Sequence, residues 1–123
     1  MAKVLGLGGV FFKAPDPQAL IAWYNQHLGT EMNEWGAQFP IQQLPAGAYG
    51  VFSPFKESTD YFAPSTQNYM INLVVDDVEG CLAKVRAAGV EVMPNIEKSE
   101  YGSFGWFIDP AGNKIELWQP PVS

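Results

Sequence analysis

Two periodicities of apolar and polar positions run along the chain, and they follow one another in the same order twice. From Val4 to Lys13 the residues are β-rich, with glycines at 6, 8 and 9, and the run stops at Pro15-Asp16-Pro17. Asp16 suits an N-cap and Pro17 the first helical position. Leu20, Ile21, Tyr24 and Leu28 then recur at helical spacing up to Gly29, which suits a C-terminal cap. Residues 30–55 carry short apolar runs punctuated by Gly36, Pro40, Pro45, Gly47 and Gly50, ending in Val51-Phe52-Ser53-Pro54-Phe55, and predict an antiparallel meander. Residues 56–68 are polar apart from Tyr61 and Phe62 and read as a long connection, a kind of segment that is often functional.

The second half restates the first. Met70 to Val75 predicts a strand, and Asp76 or Asp77 caps a helix whose apolar stripe is Val78, Cys81, Leu82, Val85 and Ala88, closed by Gly89. With Asp76 as the cap, Glu79 would complete a capping box. Val90–Ile96, Tyr101–Ile108 and Lys114–Trp118 predict three further strands. Asp16 and Asp77 stand 61 positions apart and Gly29 and Gly89 stand 60 apart. The expected fold is therefore α+β: a single domain of two βαβββ modules, at about 4–55 and 69–120, joined by the connection at 56–68.

Asp109-Pro110-Ala111-Gly112-Asn113 joins the last two strands as a hairpin turn, with Pro110 presetting φ and Gly112 supplying a left-handed position. Beyond it Ile115 and Leu117 share one face, and Lys114, Glu116 and Trp118 the other. The same alternation groups Gly9, Phe11 and Lys13, and Met70, Asn72 and Val74. The opposite positions, Val10, Phe12, Ile71, Leu73, Val75, Ile115 and Leu117, are uniformly apolar and predict the face that meets the helices. Glu116 has two readings, a surface-facing polar position or a carboxylate facing a ligand.

Composition narrows the chemistry. The 123 residues are 47% hydrophobic and 14% aromatic, enough for one proper core. A formal net charge of −6 argues against nucleic acid or an anionic membrane as partner, since both require clustered Lys and Arg. No apolar run approaches a membrane span, and Met1-Ala2-Lys3 does not open a signal peptide, so the expected location is cytoplasmic. Gly6-Leu7-Gly8-Gly9 precedes no helix and reads as close backbone packing, not a phosphate loop. Cys81 is the single cysteine and sits in a helical stripe as a small hydrophobe; His27, the single histidine, falls in a final helical turn, where the helix dipole favours a cation. Ser53, Ser65 and Ser103 have no evident histidine partner.

The order strand, Asp16, helix through Trp23-Tyr24 to Leu28-Gly29, then strand, Asp76-Asp77-Val78, helix to Ala87-Ala88-Gly89-Val90, and finally Asp109-Pro110-Ala111-Gly112-Asn113-Lys114-Ile115-Glu116-Leu117, resembles the vicinal oxygen chelate superfamily of glyoxalases, bleomycin-resistance proteins and extradiol dioxygenases. The resemblance covers nearly the whole chain. It implies sheets curled around a shared cavity with the helices outside, and commonly a homodimer, which the aromatic residues Trp23, Trp35, Tyr49 and Tyr61, read as exposed, would also suit. Metal-dependent members place ligands on the first and last strands of each module. Those positions here are Gly9, Met70, one of Gly50 to Phe52, and Glu116, of which only Glu116 can hold a divalent ion. No metal and no cofactor are therefore expected.

The mixed face becomes the concave one, and the candidate ligand-binding residues are Phe11, Lys13, Phe52, Asn72, Trp106, Glu116 and Trp118, with Trp106 or Phe107 as the aromatic of its strand. Against this stands the reading that Lys13 and Glu116 form an internal ion pair and the aromatics are core. Two functional classes follow: a bleomycin-resistance-like module that binds or sequesters a flat aromatic or cationic small molecule, or an enzyme of the lyase, isomerase or dioxygenase type, metal-free with Glu116 as general base or using an unrecognised metal site.

Overall fold

The computed structural model describes residues 2–121, and its order is helix α1 (Pro17–Leu28), a short 3₁₀ turn (Ile41–Gln43), strand β1 (Ile71–Val74), helix α2 (Val78–Ala87), and strands β2 (Glu97–Ser99), β3 (Gly102–Ile108) and β4 (Lys114–Gln119). The fold is α+β: two helices pack on one face of a curled, unclosed four-stranded sheet of order β1-β4-β3-β2, with β1 parallel to β4 and the other pairs antiparallel.

Both helices start as their sequences dictate. The Asp16 carboxylate accepts from the Ala19 amide at 3.1 Å with Pro17 following, and the Asp77 carboxylate accepts from the Gly80 amide at 3.0 Å. Asp77, not Asp76, is the cap, so Glu79 is not placed for the reciprocal box. The Val78 amide, another orphan donor of that first turn, is taken by the Gln119 side chain at 3.0 Å, which ties α2 to the end of β4.

Leu20 and Tyr24 of α1, Val78, Leu82 and Val85 of α2, and Phe107, Ile115 and Leu117 of the sheet form one buried cluster. Removing each such side chain from water contributes about 1.5–3 kcal/mol; alternation assigned Ile115 and Leu117 to the helices, and Phe107, left open against Trp106 as a cavity aromatic, joins them on that side. Cys81 is half-buried against this cluster, and burial pushes its thiol pKa up. Trp23, read as exposed, packs on the cluster with its ring 5.9 Å from that of Phe107. Trp35 and Tyr49 are exposed.

The first half departs from the expected meander. Residues 4–13 and 49–55 form no strand, and among the described residues they make no backbone-to-backbone hydrogen bond; residues 30–48 hold the Asn33–Gly36 bridge, the 3₁₀ turn and a turn closed by the Ala48 amide on the Pro45 carbonyl. A strand requires a neighbour for its N–H and C=O groups, and β1 to β4 use one another. Nor do Gly6 and Gly8 mark close backbone packing, because a Cβ at either would meet nothing within 4 Å. In the second half, Val90–Ile96 is not a regular strand: Val92 bridges Phe107, and pairing resumes at Glu97 in β2.

Close packing does occur at Gly105. A Cβ there would stand 2.5 Å from Leu82 Cδ1 and 3.0 Å from Val78 Cγ1, so the missing side chain lets α2 sit against β3. Gly105→Ala is expected to destabilise by about 1–3 kcal/mol as α2 is pushed outward. Urea unfolding would register this as a lowered midpoint at unchanged slope; an unchanged midpoint would refute the close approach.

Candidate functional site

Pairing register aligns side chains in rows across the sheet face turned away from the helices. One row is Trp106, Glu116 and Asn72 on β3, β4 and β1; the next is Phe104, Trp118 and Val74; Ile108 and Lys114 form the third. The middle of this face is a carboxylate with three donors. Asn72 Nδ2 donates to Glu116 Oε1 at 2.7 Å, while Trp106 Nε1 and the Tyr61 hydroxyl donate to Oε2 at 2.9 and 3.0 Å. Tyr61 arrives from the long connection, which is pinned to the sheet twice more: Lys114 Nζ donates to the Tyr61 carbonyl at 2.6 Å, and Ser65 Oγ donates to the Gly112 carbonyl at 2.8 Å.

Around this acceptor the walls are aromatic. Trp106 and Trp118 are buried, the Tyr61 ring meets Trp106 edge-on at 6.3 Å, Phe104 lies parallel to Trp118 at 6.3 Å, and Tyr49 covers Trp118 at 5.0 Å. Trp118 Nε1 is satisfied by the Tyr101 carbonyl at 2.7 Å. Lys114, only 8% exposed, holds its ammonium 5.1 Å from the Tyr61 ring centre and 5.9 Å from that of Trp106. Tyr61, Trp106 and Lys114 line a cleft of about 210 Å³ together with Met93, Pro94, Asn95 and Glu97. A larger cleft, about 520 Å³, lies past the C-terminal end of α1 between residues 29 and 43. Its lining offers one charged side chain, Glu31, and no aromatic beyond Phe39, so the smaller cleft is the chemically better furnished.

Three tyrosines are shifted upward by their surroundings, Tyr69 among them through burial and then the Asp109 charge. Burial, then the Glu116 charge, raises the Tyr61 hydroxyl well above the ordinary phenol range; burial, then Asp109, does the same to Tyr24, whose hydroxyl donates to Asp109 Oδ2 at 2.8 Å. Burial lowers the Lys114 pKa, opposed by the charges of Glu116 and Asp60.

Of the residues named from sequence, Asn72, Trp106, Glu116 and Trp118 stand together on this face. Phe11 and Phe52 do not join them within one chain, being 95% and 89% exposed, and Lys13 is exposed and makes no ion pair with Glu116. Their segments lack the strand pairing on which the alternation argument relied. Tyr61 and Lys114 were missed as site residues. Lys114 was legible from its alternation with Glu116; Tyr61 had no signal beyond being one of two apolar residues in a polar connection.

The superfamily's divalent metal does not fit here. Glu116 is the lone carboxylate of the cluster, its neighbours present indole, amide and phenol hydrogens, and an ammonium lies alongside. Among the described residues no three His, Cys, Asp or Glu side chains converge.

The model of the glyoxalase-like domain family matches residues 9–118. The chain belongs to that family. No curated protein matches it. Among solved structures, this glyoxalase-like protein is similar to a protein from the mobile metagenome of V. Pseudocholerae at 18% identity, with 99% of each chain covered and a TM-score of 0.60. An integron cassette protein of V. Cholerae is 18% identical over 97% of this chain and 98% of its own, with a TM-score of 0.58. TnmS3, an antibiotic binding protein from Streptomyces sp. CB03234, is 24% identical over 88% and 89%, with a TM-score of 0.51. At these identities the likeness is one of fold.

The raised hydroxyls imply a pH dependence. A group whose folded pKa lies above its unfolded value contributes stability below the unfolded pKa, near 10 for tyrosine, and loses it as pH rises through the folded pKa. Absorbance at 295 nm during an alkaline titration is therefore expected to show Tyr24 and Tyr61 ionising only as the fold opens. Tyr24→Phe and Tyr61→Phe should each remove part of that late component; ionisation of all five tyrosines near pH 10 in the folded protein would refute the assignment.

Proposed function

We propose that this glyoxalase-like protein binds or sequesters a small organic molecule with a flat aromatic part on the concave face around Glu116, and that it does so as a homodimer. The observation that carries the first claim is the Glu116 carboxylate itself, held by Tyr61, Asn72 and Trp106 in an aromatic setting beside an open cleft. Apolar and aromatic walls with a few fixed polar groups are the usual composition of a small-molecule site. That TnmS3, of similar fold, is an antibiotic binding protein is compatible with this reading. A general-base role for Glu116 is less favoured, because three of its roughly four lone-pair sites are occupied by donors that would have to leave before it accepted a substrate proton.

Titrating the protein with flat heteroaromatic and cationic compounds, read by the fluorescence of Trp106 and Trp118, tests the reading. Binding should weaken about tenfold or more in both Glu116→Gln and Trp118→Leu while circular dichroism stays unchanged. Equal affinity in both variants would remove the concave face from consideration.

The dimer rests on exposed surface. A folded monomer of 13.5 kDa exposes about 6,500 Å², whereas this chain exposes 9211 Å², an excess of about 2,700 Å². A standard interface buries about 800 Å² per partner. Most of the large hydrophobic residues left exposed fall between positions 4 and 55, in the two unpaired segments above all: Val4, Leu5 and Phe11 in one, Val51, Phe52 and Phe55 in the other. Segments that lack both strand partners and cover within one chain are suited to pairing with a second copy, which would complete the first module and bring Phe11, Lys13 and Phe52 to a site. Sedimentation equilibrium is expected to give twice the chain mass at micromolar concentration. Phe11→Asp combined with Phe52→Asp should return it to a monomer; a wild-type monomer at tens of micromolar would refute the assembly.

A further inference from the structure

We propose that Lys114 is the specificity-determining residue of the cleft between Tyr61, Trp106 and Glu97, where its ammonium donates to an oxygen acceptor carried on a flat ring, so that the site prefers a carboxylate-, amide- or ketone-bearing arene to a cationic one. The inference rests on the binding reading above and adds to it the chemistry of the ligand's polar end.

Three observations converge on it. Lys114 is 8% exposed, yet no carboxylate lies within salt-bridge distance of it among the described residues. Lysine is almost never this buried unless paired. One of its three N–H donors is used, by the Tyr61 carbonyl at 2.6 Å, and the rest of the ammonium borders the cleft against the Tyr61 and Trp106 rings. Two carboxylates act on this ammonium through their charge: Glu116 has its oxygens committed to Tyr61, Asn72 and Trp106, and Asp60 makes no ion pair with it.

A flat ligand lying against Trp106 would therefore meet the Lys114 donor where the ammonium borders the Tyr61 and Trp106 rings. Glu97, exposed on β2 at the rim, keeps its own carboxylate in water. Burial disfavours the charged form of Lys114, and an incoming oxygen acceptor would relieve that cost by satisfying a remaining N–H. A cationic ligand would have to sit beside a like charge.

Three probes that share one ring system separate the possibilities: 2-naphthoate, 2-naphthamide and 2-(aminomethyl)naphthalene, titrated by isothermal calorimetry. The wild-type protein is expected to bind the first two about tenfold or more tightly than the third, the scale of one charge-assisted hydrogen bond. Lys114→Met should weaken the naphthoate and naphthamide by a similar factor and leave the aminomethyl compound unchanged or tighter, and Lys114→Arg should retain the order. The wild-type order needs no variant, so a folding defect in Lys114→Met would not obscure it. If all three bind with equal affinity, or the aminomethyl compound binds best, the Lys114 inference falls and the binding reading stands. If none binds at millimolar concentration, both fall.

Discussion

A buried carboxylate on the turn between β3 and β4 holds the two layers in register. Asp109 is 3% exposed and accepts four hydrogen bonds: from the Ala111 and Asn113 amides, from Asn113 Nδ2, and from the Tyr24 hydroxyl of α1. The first three fold the turn on itself, and the fourth anchors the outer helix. Asn113, fully buried, extends the chain of bonds by accepting from the Tyr69 hydroxyl at 2.7 Å, which ties in the segment leading to β1. A charge this deep is tolerated only when its lone pairs are taken. Deleting one of these partners would leave a buried acceptor short, whereas the apolar cluster beside it would tolerate volume-conserving exchanges far better.

The concave face repeats the device with a different result. Glu116 also gathers donors from three directions, but it is only half-buried and its donors are side chains of the sheet face turned away from the helices and of the connection above it. The carboxylate thus sets the tilt of the Trp106 indole and brings Tyr61 down from the connection. In a metal-binding relative of this scaffold such a position would spend its oxygens on an ion; here they orient aromatic rings. The same strand supplies the anchor at Glu116 and the free donor at Lys114, because β4 places both on one side of the sheet.

Much of this was legible in the sequence, and the reason is local chemistry. Asp16-Pro17 and Asp77 announce their helices through capping, and Pro110 with Gly112 at φ 85° announces the hairpin. Alternation correctly divided β4 into Ile115 and Leu117 toward the helices and Glu116 and Trp118 away from them. Illegible was everything set by a partner far along the chain. The Tyr61 to Glu116 bond spans 55 positions and Tyr24 to Asp109 spans 85, and no periodicity records either. The first-half strands failed for the same reason: β-propensity describes how a residue suits a pleated surface, and Phe11 or Phe52 fulfils it only when another strand is alongside.

The internal repeat sharpens that point. The 61-residue offset between Asp16 and Asp77 aligns Val10–Lys13 with β1, yet β1 lies against β4 and, among the described residues, Val10–Lys13 pairs with no strand. Equivalent sequence has met unequal surroundings. The second half closes its own ladder because the Asp109 turn returns β4 beside β3 and α2 covers the result. The first half has a helix that docks well, through Leu20 and Tyr24, on the sheet of the second half, and so it has no sheet of its own beneath that helix. Its apolar segments are left largely exposed for a physical reason: α1 is already satisfied elsewhere, and of what remains Tyr49 packs on Trp118 while Phe11, Trp35 and Phe52 stay in water.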